Sequence, residues 1–410
     1  MEATPSLACA NKCVFCWRHH KNPVATEWKW KADDPFEIVS EAVRLHVAMI
    51  NECKGVPGVL EDRWREAHTV RHCALSLVGE PIMSRRPRRI YGLHGISASP
   101  PRRRRGPSPW NAGVAATRRN AGVAATRRNA GVAAARRNAG VRRDPTHGTS
   151  PRPVSAECPP SRRYPRINEM IGELHRRKIS SFLVTNAQFP DAIRTLRPVT
   201  QLYVSVDAPN RDALEEVDRP LFKDAWARLR ESLVILREKK QRTVARLTLV
   251  KGHNADDLAG YAELIALGEP TLVEVKGVTF CGKSDASTLT MENCPWHHEV
   301  EAFCKELAAK IASDHPACPA YEIACAHKHS VSVLLARVDQ LGGAVIDGQR
   351  RWNTWIDYDA FHEKAASDAP FGIADYVAPC PDWALFGAAE DGFDPTDTRL
   401  YKKKKNGKSR

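Results

Sequence analysis

Cys9, Cys13 and Cys16 fall within eight positions, spaced C-x3-C-x2-C, with Phe15 just before the last. Thiolates are the ligands that soft metals and iron–sulfur clusters select. Three of them on one loop can hold three irons of a cubane cluster and leave the fourth iron open for a small ligand. A closed zinc site instead wants four N or S donors. The chain has no second C-x2-C pair, but His19 and His20 lie close enough in sequence to complete such a site. Unliganded buried thiols are the third reading. Other polar residues stand at the ends of apolar runs: Gly79 and Glu80, Thr185 and Asn186, Ser205 and Asp207, Lys251, and Lys276.

Those runs are the elements that must position the chemistry. HCALSLVG (72–79), SSFLVTN (180–186), QLYVSVD (201–207), ARLTLVK (245–251) and LVEVKGV (272–278) are short and almost continuously apolar. That is the pattern of parallel strands covered on both faces. Helical stretches alternate with them at 35–55, 166–178, 224–240 and 255–268, and Asp33–Asp34–Pro35 and the Asp pair after Asn254 read as helix starts. The βα repeat predicts an α/β fold, a partial parallel barrel or open sheet. Its chemistry belongs at the C-terminal ends of the strands, where the polar residues stand. After about residue 290 the pattern changes to the strand-like YEIACAHKH and VSVLLARV and to aromatic-rich text, suggesting a smaller α+β extension.

The 410 residues allow two to three domains. No apolar run is long enough to span a membrane. The start, MEATPSLACANK, does not read as a signal peptide. A cytoplasmic location is therefore expected, with the 12 cysteines as metal ligands or buried thiols rather than disulfides. The net charge of +14 suggests nucleic acid until it is located. Residues 84–163 hold 19 arginines, no lysine and two acids, a surplus of +17, so the remainder is −3. Residues 111–143 repeat NAGVAATRR almost perfectly between Pro-, Ser- and Arg-rich flanks. Such composition cannot bury a core and reads as a disordered insert, either neutral or an Arg-rich RNA-binding arm. The C-terminal YKKKKNGKSR reads as a solvated basic tail.

The cysteine spacing, followed by GEP after the next strand, resembles the radical S-adenosylmethionine superfamily. Within it, HCALSLVGEPIM, SSFLVTNAQFP, LYVSVDAP, RLTLVKGHN, LVEVKGVTFCG, LTMENCPWHHEV, YEIACAHKHS and WALFGAAEDGFDPTDTR are similar to the tRNA wybutosine-synthesizing enzymes, the 4-demethylwyosine synthases. The resemblance covers nearly everything but 84–163, a stretch near 312–320 and the extreme tail.

It implies a partial (β/α)6 TIM-type barrel of the radical SAM kind over 1–83 and 164–290, an insert at 84–163, a wybutosine-type extension over 291–400 and a basic tail at 401–410. It implies Cys9, Cys13 and Cys16 as ligands of a 4Fe-4S cluster. Gly79 and Glu80 match the motif that binds the methionyl amine of S-adenosyl-L-methionine. Asn186 and Ser205 match strand-end positions that contact its sugar or carboxylate. The implied reaction, in the carbon–carbon lyase class, joins a two-carbon unit from pyruvate to 1-methylguanine beside the anticodon of tRNA-Phe. The 5′-deoxyadenosyl radical takes the first hydrogen. A lysine Schiff base could hold pyruvate, with Lys276 and Lys251 as candidates. Trp17, Arg18, His19 and His20 could meet the anticodon loop, whereas Trp352, Trp355 and Tyr358 read rather as core. Eukaryotic members carry a flavodoxin-like domain with FMN ahead of the cluster loop. This chain starts almost at that loop, so an external flavodoxin-type electron donor is expected. The alternative is an inactive fragment, or a zinc- or RNA-binding protein on a decayed barrel.

Overall fold

A computed structural model describes residues 1–18, 21–31, 33–75, 79–83, 166–346, 348–367 and 369–397. The insert expected at 84–163, the basic tail, and His19 and His20 lie outside the described residues. All described residues belong to one unit, spanning 1–104 and 163–410.

Five strands fall where the apolar runs predict them: β1 His72–Leu75, β2 Ser180–Thr185, β3 Gln201–Ser205, β4 Thr243–Leu249 and β5 Leu272–Gly277. They pair parallel in sequence order. Met1–Ala3 adds a sixth parallel position beside β1: Glu2 bridges to Ala74, and the Ala74 amide donates to the Met1 carbonyl at 2.9 Å. Between these strands run α1 Pro35–Glu52, α2 Glu61–Glu66, α3 Ile167–Arg176, α4 Pro190–Arg194, α5 Arg211–Val217, α6 Ala225–Glu238 and α7 Leu258–Gly268. The Asp34 carboxylate caps α1 by accepting from the Phe36 amide, with Pro35 at the first helical position.

The sheet continues beyond residue 290, where the sequence suggests a smaller α+β extension. After α8 His297–Asp314 come β6 Tyr321–His327 and β7 Ser332–Arg337. β7 pairs antiparallel with β5, and β6 antiparallel with β7, giving the order β1-β2-β3-β4-β5-β7-β6. The fold is the α/β class expected, a parallel sheet with a reversed edge.

Alternation sorts the two faces. Leu247, Val275 and Val333 are completely buried, and beneath the helices the Tyr261 and Phe303 rings of α7 and α8 meet at 5.7 Å. Partners in register share a face. On the other face Ser205, Arg246, Glu274, Leu334 and Cys325 form one row across β3, β4, β5, β7 and β6. One step nearer the C-terminal ends of the parallel strands, Thr248, Lys276, Ser332 and His327 form a second row.

The segment after β7 runs along the opposite end. After the one-turn α9 Val338–Leu341, α10 Tyr358–Ala366 begins with Tyr358, whose ring packs tilted against His72 at 4.4 Å. His362 meets the Ser180 hydroxyl at 3.1 Å. Arg242, buried just before β4, donates to the Tyr376 hydroxyl and the Thr354 carbonyl. The Phe386 amide donates to the Ala324 carbonyl on β6. This segment therefore straps the beginnings of β1, β2 and β4 and reaches β6.

Candidate functional site

The cysteine loop is fastened by its backbone. Lys12 and Val14 amides donate to the Asp218 and Val217 carbonyls at the end of α5, and the Cys16 amide donates to the Cys13 carbonyl. Val14 and Phe15 pack with Val217, Val250, Val278 and Leu289, so the aromatic before the third cysteine anchors the loop. The Cys9 carbonyl accepts from the Ala25 amide.

Gly79 and Glu80 press against the start of the same loop. Gly79 has φ +67°, and a Cβ there would lie 2.4 Å from the Ser6 carbonyl oxygen and 2.6 Å from that of Ala8. Only glycine permits this approach. The Glu80 amide donates to the Ala8 carbonyl at 2.7 Å. Its carboxylate, completely buried, accepts from the Asn186 amide at 2.8 Å, and burial lifts its pKa to about 7. The Asn186 side chain then reaches the Cys9 sulfur at 3.6 Å. Cys9, Glu80 and Asn186, far apart in sequence, form one connected group.

Burial raises the Cys9 thiol to about 12, against hydrogen bonds from the Asn11 backbone and Asn186 that lower it. Burial also raises Cys13, whose thiol is hydrogen-bonded to the Asp218 carboxyl. Cys9 is within electrostatic reach of both Cys13 and Cys16. Among the described residues, no three metal-ligating side chains are drawn together as a formed metal site. The donor set nevertheless fits an iron–sulfur cluster: three thiols on one loop, with N–H groups aimed at the Cys9 sulfur, as such sulfurs receive. Both polar atoms of the buried Asn11 side chain, between Cys9 and Cys13, lack a partner. The glycine cradle at Gly79 suits a ligand approaching backbone.

Ser205 ends β3 opposite Arg246, and its hydroxyl makes no hydrogen bond with another described residue. The two candidate lysines separate cleanly. Lys251, just past β4, is tied to Glu299 at 2.7 Å. Lys276 sits in the second row of the inner face and makes no ion pair or hydrogen bond with any described residue. Below it, Arg246 and Glu274 pair at 3.4 Å.

Several participants have no motif to betray them. Asp207 is buried, accepts from the Thr248 amide, and has its pKa lifted to about 6 by burial. Asp218 is lifted further, by burial and by Asp207. Asn254 fixes this corner by donating to the Asp207 and Thr248 carbonyls. Polar residues at strand ends were the available signal for Asp207. For Asp218 and Asn254, which reach the site only through long-range contacts, there was none. Trp17 is half exposed with the Arg18 guanidinium over its ring at 5.4 Å. Trp352 is buried as expected, whereas Trp355 is 46% exposed and edges onto Trp383. Among the described residues, no helix is long and apolar enough to cross a membrane.

Residues 267–337 match the family described as wyosine base formation. Over 407 residues the chain is 47% identical to the S-adenosyl-L-methionine-dependent tRNA 4-demethylwyosine synthase of Oryza sativa subsp. japonica, covering 99% of this chain and 48% of that protein. Over nearly all of its own length the chain is thus similar to about half of a tRNA 4-demethylwyosine synthase. The Homo sapiens relative of the same description, TYW1, is 46% identical over 413 residues, covering 99% of this chain and 44% of that one. The chain thus spans about half the length of the curated relatives it matches. A solved structure of TYW1 with a lysine-pyruvate adduct bound has a TM-score of 0.53 at 22% identity, covering 82% of this chain and 79% of that one. The two share the α/β fold.

Proposed function

We infer that this chain carries the catalytic half of a tRNA 4-demethylwyosine synthase. The observation that carries the reading is the junction of three separate sequence stretches: Gly79–Glu80 beneath the cysteine loop, and Asn186 spanning Glu80 and Cys9. Its relatives are named for S-adenosyl-L-methionine-dependent modification of tRNA.

Cys9, Cys13 and Cys16 would hold a 4Fe-4S cluster, which with S-adenosyl-L-methionine supplies, when bound, a hydrogen-abstracting radical. The chain's own groups do the rest. Glu80, a buried acceptor in a cradle only glycine can line, binds the methionyl amine. Asn186 and Ser205 orient the remainder of that ligand. The inner face of the sheet excludes water from the reacting atoms. Lys276, with no hydrogen bond or ion pair to a described residue, holds pyruvate as a Schiff base, a reading supported by the lysine-pyruvate adduct bound in the similar solved structure. Lys251, neutralised by Glu299, serves structure. The tRNA substrate carries 1-methylguanosine beside the anticodon of tRNA-Phe, a cytoplasmic molecule, and Trp17 and Arg18 offer a stacking and cationic contact to its loop. The electron comes from a flavodoxin-type donor. The barrel over 1–83 and 164–290 does the chemistry, and 291–400 completes and straps it.

The test is anaerobic reconstitution. The chain should bind about four irons and four sulfides per molecule, cleave S-adenosyl-L-methionine to 5′-deoxyadenosine when reduced, and convert 1-methylguanosine in tRNA-Phe in the presence of pyruvate. Tight zinc with no iron, and no cleavage, would favour a zinc- or RNA-binding protein on the same fold.

A further inference from the structure

Schiff-base formation needs more than a lysine. Its ammonium must lose a proton before the nitrogen can attack a ketone, and the hydroxyl of the resulting carbinolamine must gain one before it leaves. Among the described residues, none is hydrogen-bonded or ion-paired to Lys276 to take that proton. Its neighbours in the second row do form a chain. Ser332 lies directly opposite Lys276 on β7, and His327 directly opposite Ser332 on β6, so all three point to one face. Ser330, in the tight turn between β6 and β7, closes the gap. Its hydroxyl is 3.2 Å from the Ser332 hydroxyl and hydrogen-bonded to His327 Nδ1. The Ser330 amide also donates to Nδ1, at 3.3 Å. Two donors at one ring nitrogen fix the tautomer: Nδ1 is the acceptor and Nε2 carries the hydrogen.

The imidazole is held in place from outside. Gly392 passes so close that a Cβ would lie 3.1 Å from His327 Cδ2, and the Phe393 ring packs on the imidazole at 4.8 Å. The charged and titratable groups around the chain are few. Arg246 and Glu274 pair with each other one row below. Lys328 and Asp391 pair at 3.1 Å, and His329 lies 6.4 Å from His327 between ring centres. Cys325 follows two residues deeper on β6, and the Asp394 carboxylate is engaged by Thr396. Among the described residues, the hydroxyls of Ser332 and Ser330 meet no proton acceptor but each other and His327.

We propose that His327, acting through Ser330 and Ser332, is the proton-relay residue for the Lys276 amine. It is a positioning residue, since it reaches the reacting atoms only through the two hydroxyls. The inference rests on the Schiff-base reading of Lys276 above. In the forward step Lys276, which no hydrogen bond ties to a described residue at rest, turns to its register partner and gives its ammonium proton to Ser332, Ser332 gives its own to Ser330, and Ser330 gives its own to His327 Nδ1. The free amine then forms the N–C bond to the keto carbon of pyruvate. The proton returns by the same path to the carbinolamine hydroxyl, which leaves as water. One ammonium and one ketone become one protonated imine and one water, with no change of oxidation state. Residues adjacent in the sheet but distant from the cysteine loop thus supply acid–base chemistry that the thiols cannot.

The experiment uses the full purified chain, pyruvate, and cyanoborohydride, which reduces the imine to a stable amine counted by intact mass and located by peptide mapping. It needs neither cluster nor tRNA. The trapping rate is followed across a pH range spanning the ordinary imidazole and lysine values. His327→Asn keeps a side-chain acceptor for Ser330 but cannot hold a proton. It should trap about 10²-fold more slowly near neutrality and recover as rising pH deprotonates the lysine directly. Ser332→Ala cuts the same path without touching the packing of Phe393 on His327 and should give the same profile, so a misfolded histidine variant does not decide the matter. If wild type traps on Lys276 and both variants follow its pH profile within about twofold, a difference too small for a lost acid–base group, the relay is overturned while the Schiff base stands. If wild type traps nothing, or Lys276→Ala traps as well as wild type, the Schiff-base reading falls and the relay with it.

Discussion

At the scale of single residues, Gly79 makes the sharpest claim. Its φ of +67° and the two carbonyl oxygens within 2.6 Å of a hypothetical Cβ leave no room to yield, because the obstacle is backbone. Gly79→Ala should cost about 2 kcal/mol or more from left-handed strain plus overpacking and should lower iron loading after reconstitution. Gly252 also has a positive φ, +80°, but nothing within 4 Å. Gly252→Ala should therefore cost only about 1 kcal/mol and leave iron loading unchanged; thermal melts and iron assays compare the two. The lysines give a second contrast. Lys276→Ala should abolish pyruvate trapping with little change in melting temperature. Lys251→Ala leaves the half-buried Glu299 without its ammonium, though the Trp296 amide still donates to it; it should lose about 1 kcal/mol of stability and still trap. The cysteines, Gly79 and both lysines were legible by type and spacing. What separates Lys276 from Lys251 was not, because it is decided by Glu299, a residue 48 positions away from Lys251.

At the scale of elements, the clasp between α3, β2 and α10 carries a pH dependence. His175 on α3 faces the Ser181 hydroxyl at 2.8 Å, and burial lowers its pKa to about 3. Burial lowers that of His362 on α10 as well. The unfolded chain binds a proton on His175 below about pH 6.5, whereas the folded chain refuses it until about 3. Stability contributed by the neutral ring is thus complete above the unfolded value and falls as pH drops towards the folded one. In urea titrations between about pH 4 and 6, His175→Gln should flatten the loss by about 1.4 kcal/mol per pH unit, one proton's worth. An unchanged slope would rule out this histidine as the source. Strand and helix positions for β1 to β5 were readable from apolar runs, since strands covered on both faces leave that mark. The direction of β7 was not. VSVLLARV is equally apolar whichever way it runs, and only pairing with Glu274 and Lys276 sets it antiparallel.

At the scale of the whole molecule, residues 84–163 test how far composition can be trusted. Met83, completely buried, precedes them, and α3 begins at Ile167 soon after. Joining these points removes 80 residues of loop, an entropic gain of about 2–3 kcal/mol by logarithmic scaling. The deletion chain should melt at or above the temperature of the full one and load iron as well. Loss of tRNA binding with the fold intact would instead make the segment an RNA-binding arm. That the sheet runs past residue 290 escaped the sequence, because a change in composition marks a change in covering layers rather than the end of a hydrogen-bonded ladder.

The strap across the strand beginnings also has a consequence in time. Thr354, Tyr376 and Phe386 are synthesised after every strand they hold. A growing polypeptide on the ribosome therefore presents β1 to β7 with Arg242 stripped of two of its acceptors and the base of the sheet bare. Vectorial synthesis can assemble the cysteine loop and its cradle early, but the floor beneath them is laid last. The nascent protein should lean on chaperones until that floor is in place.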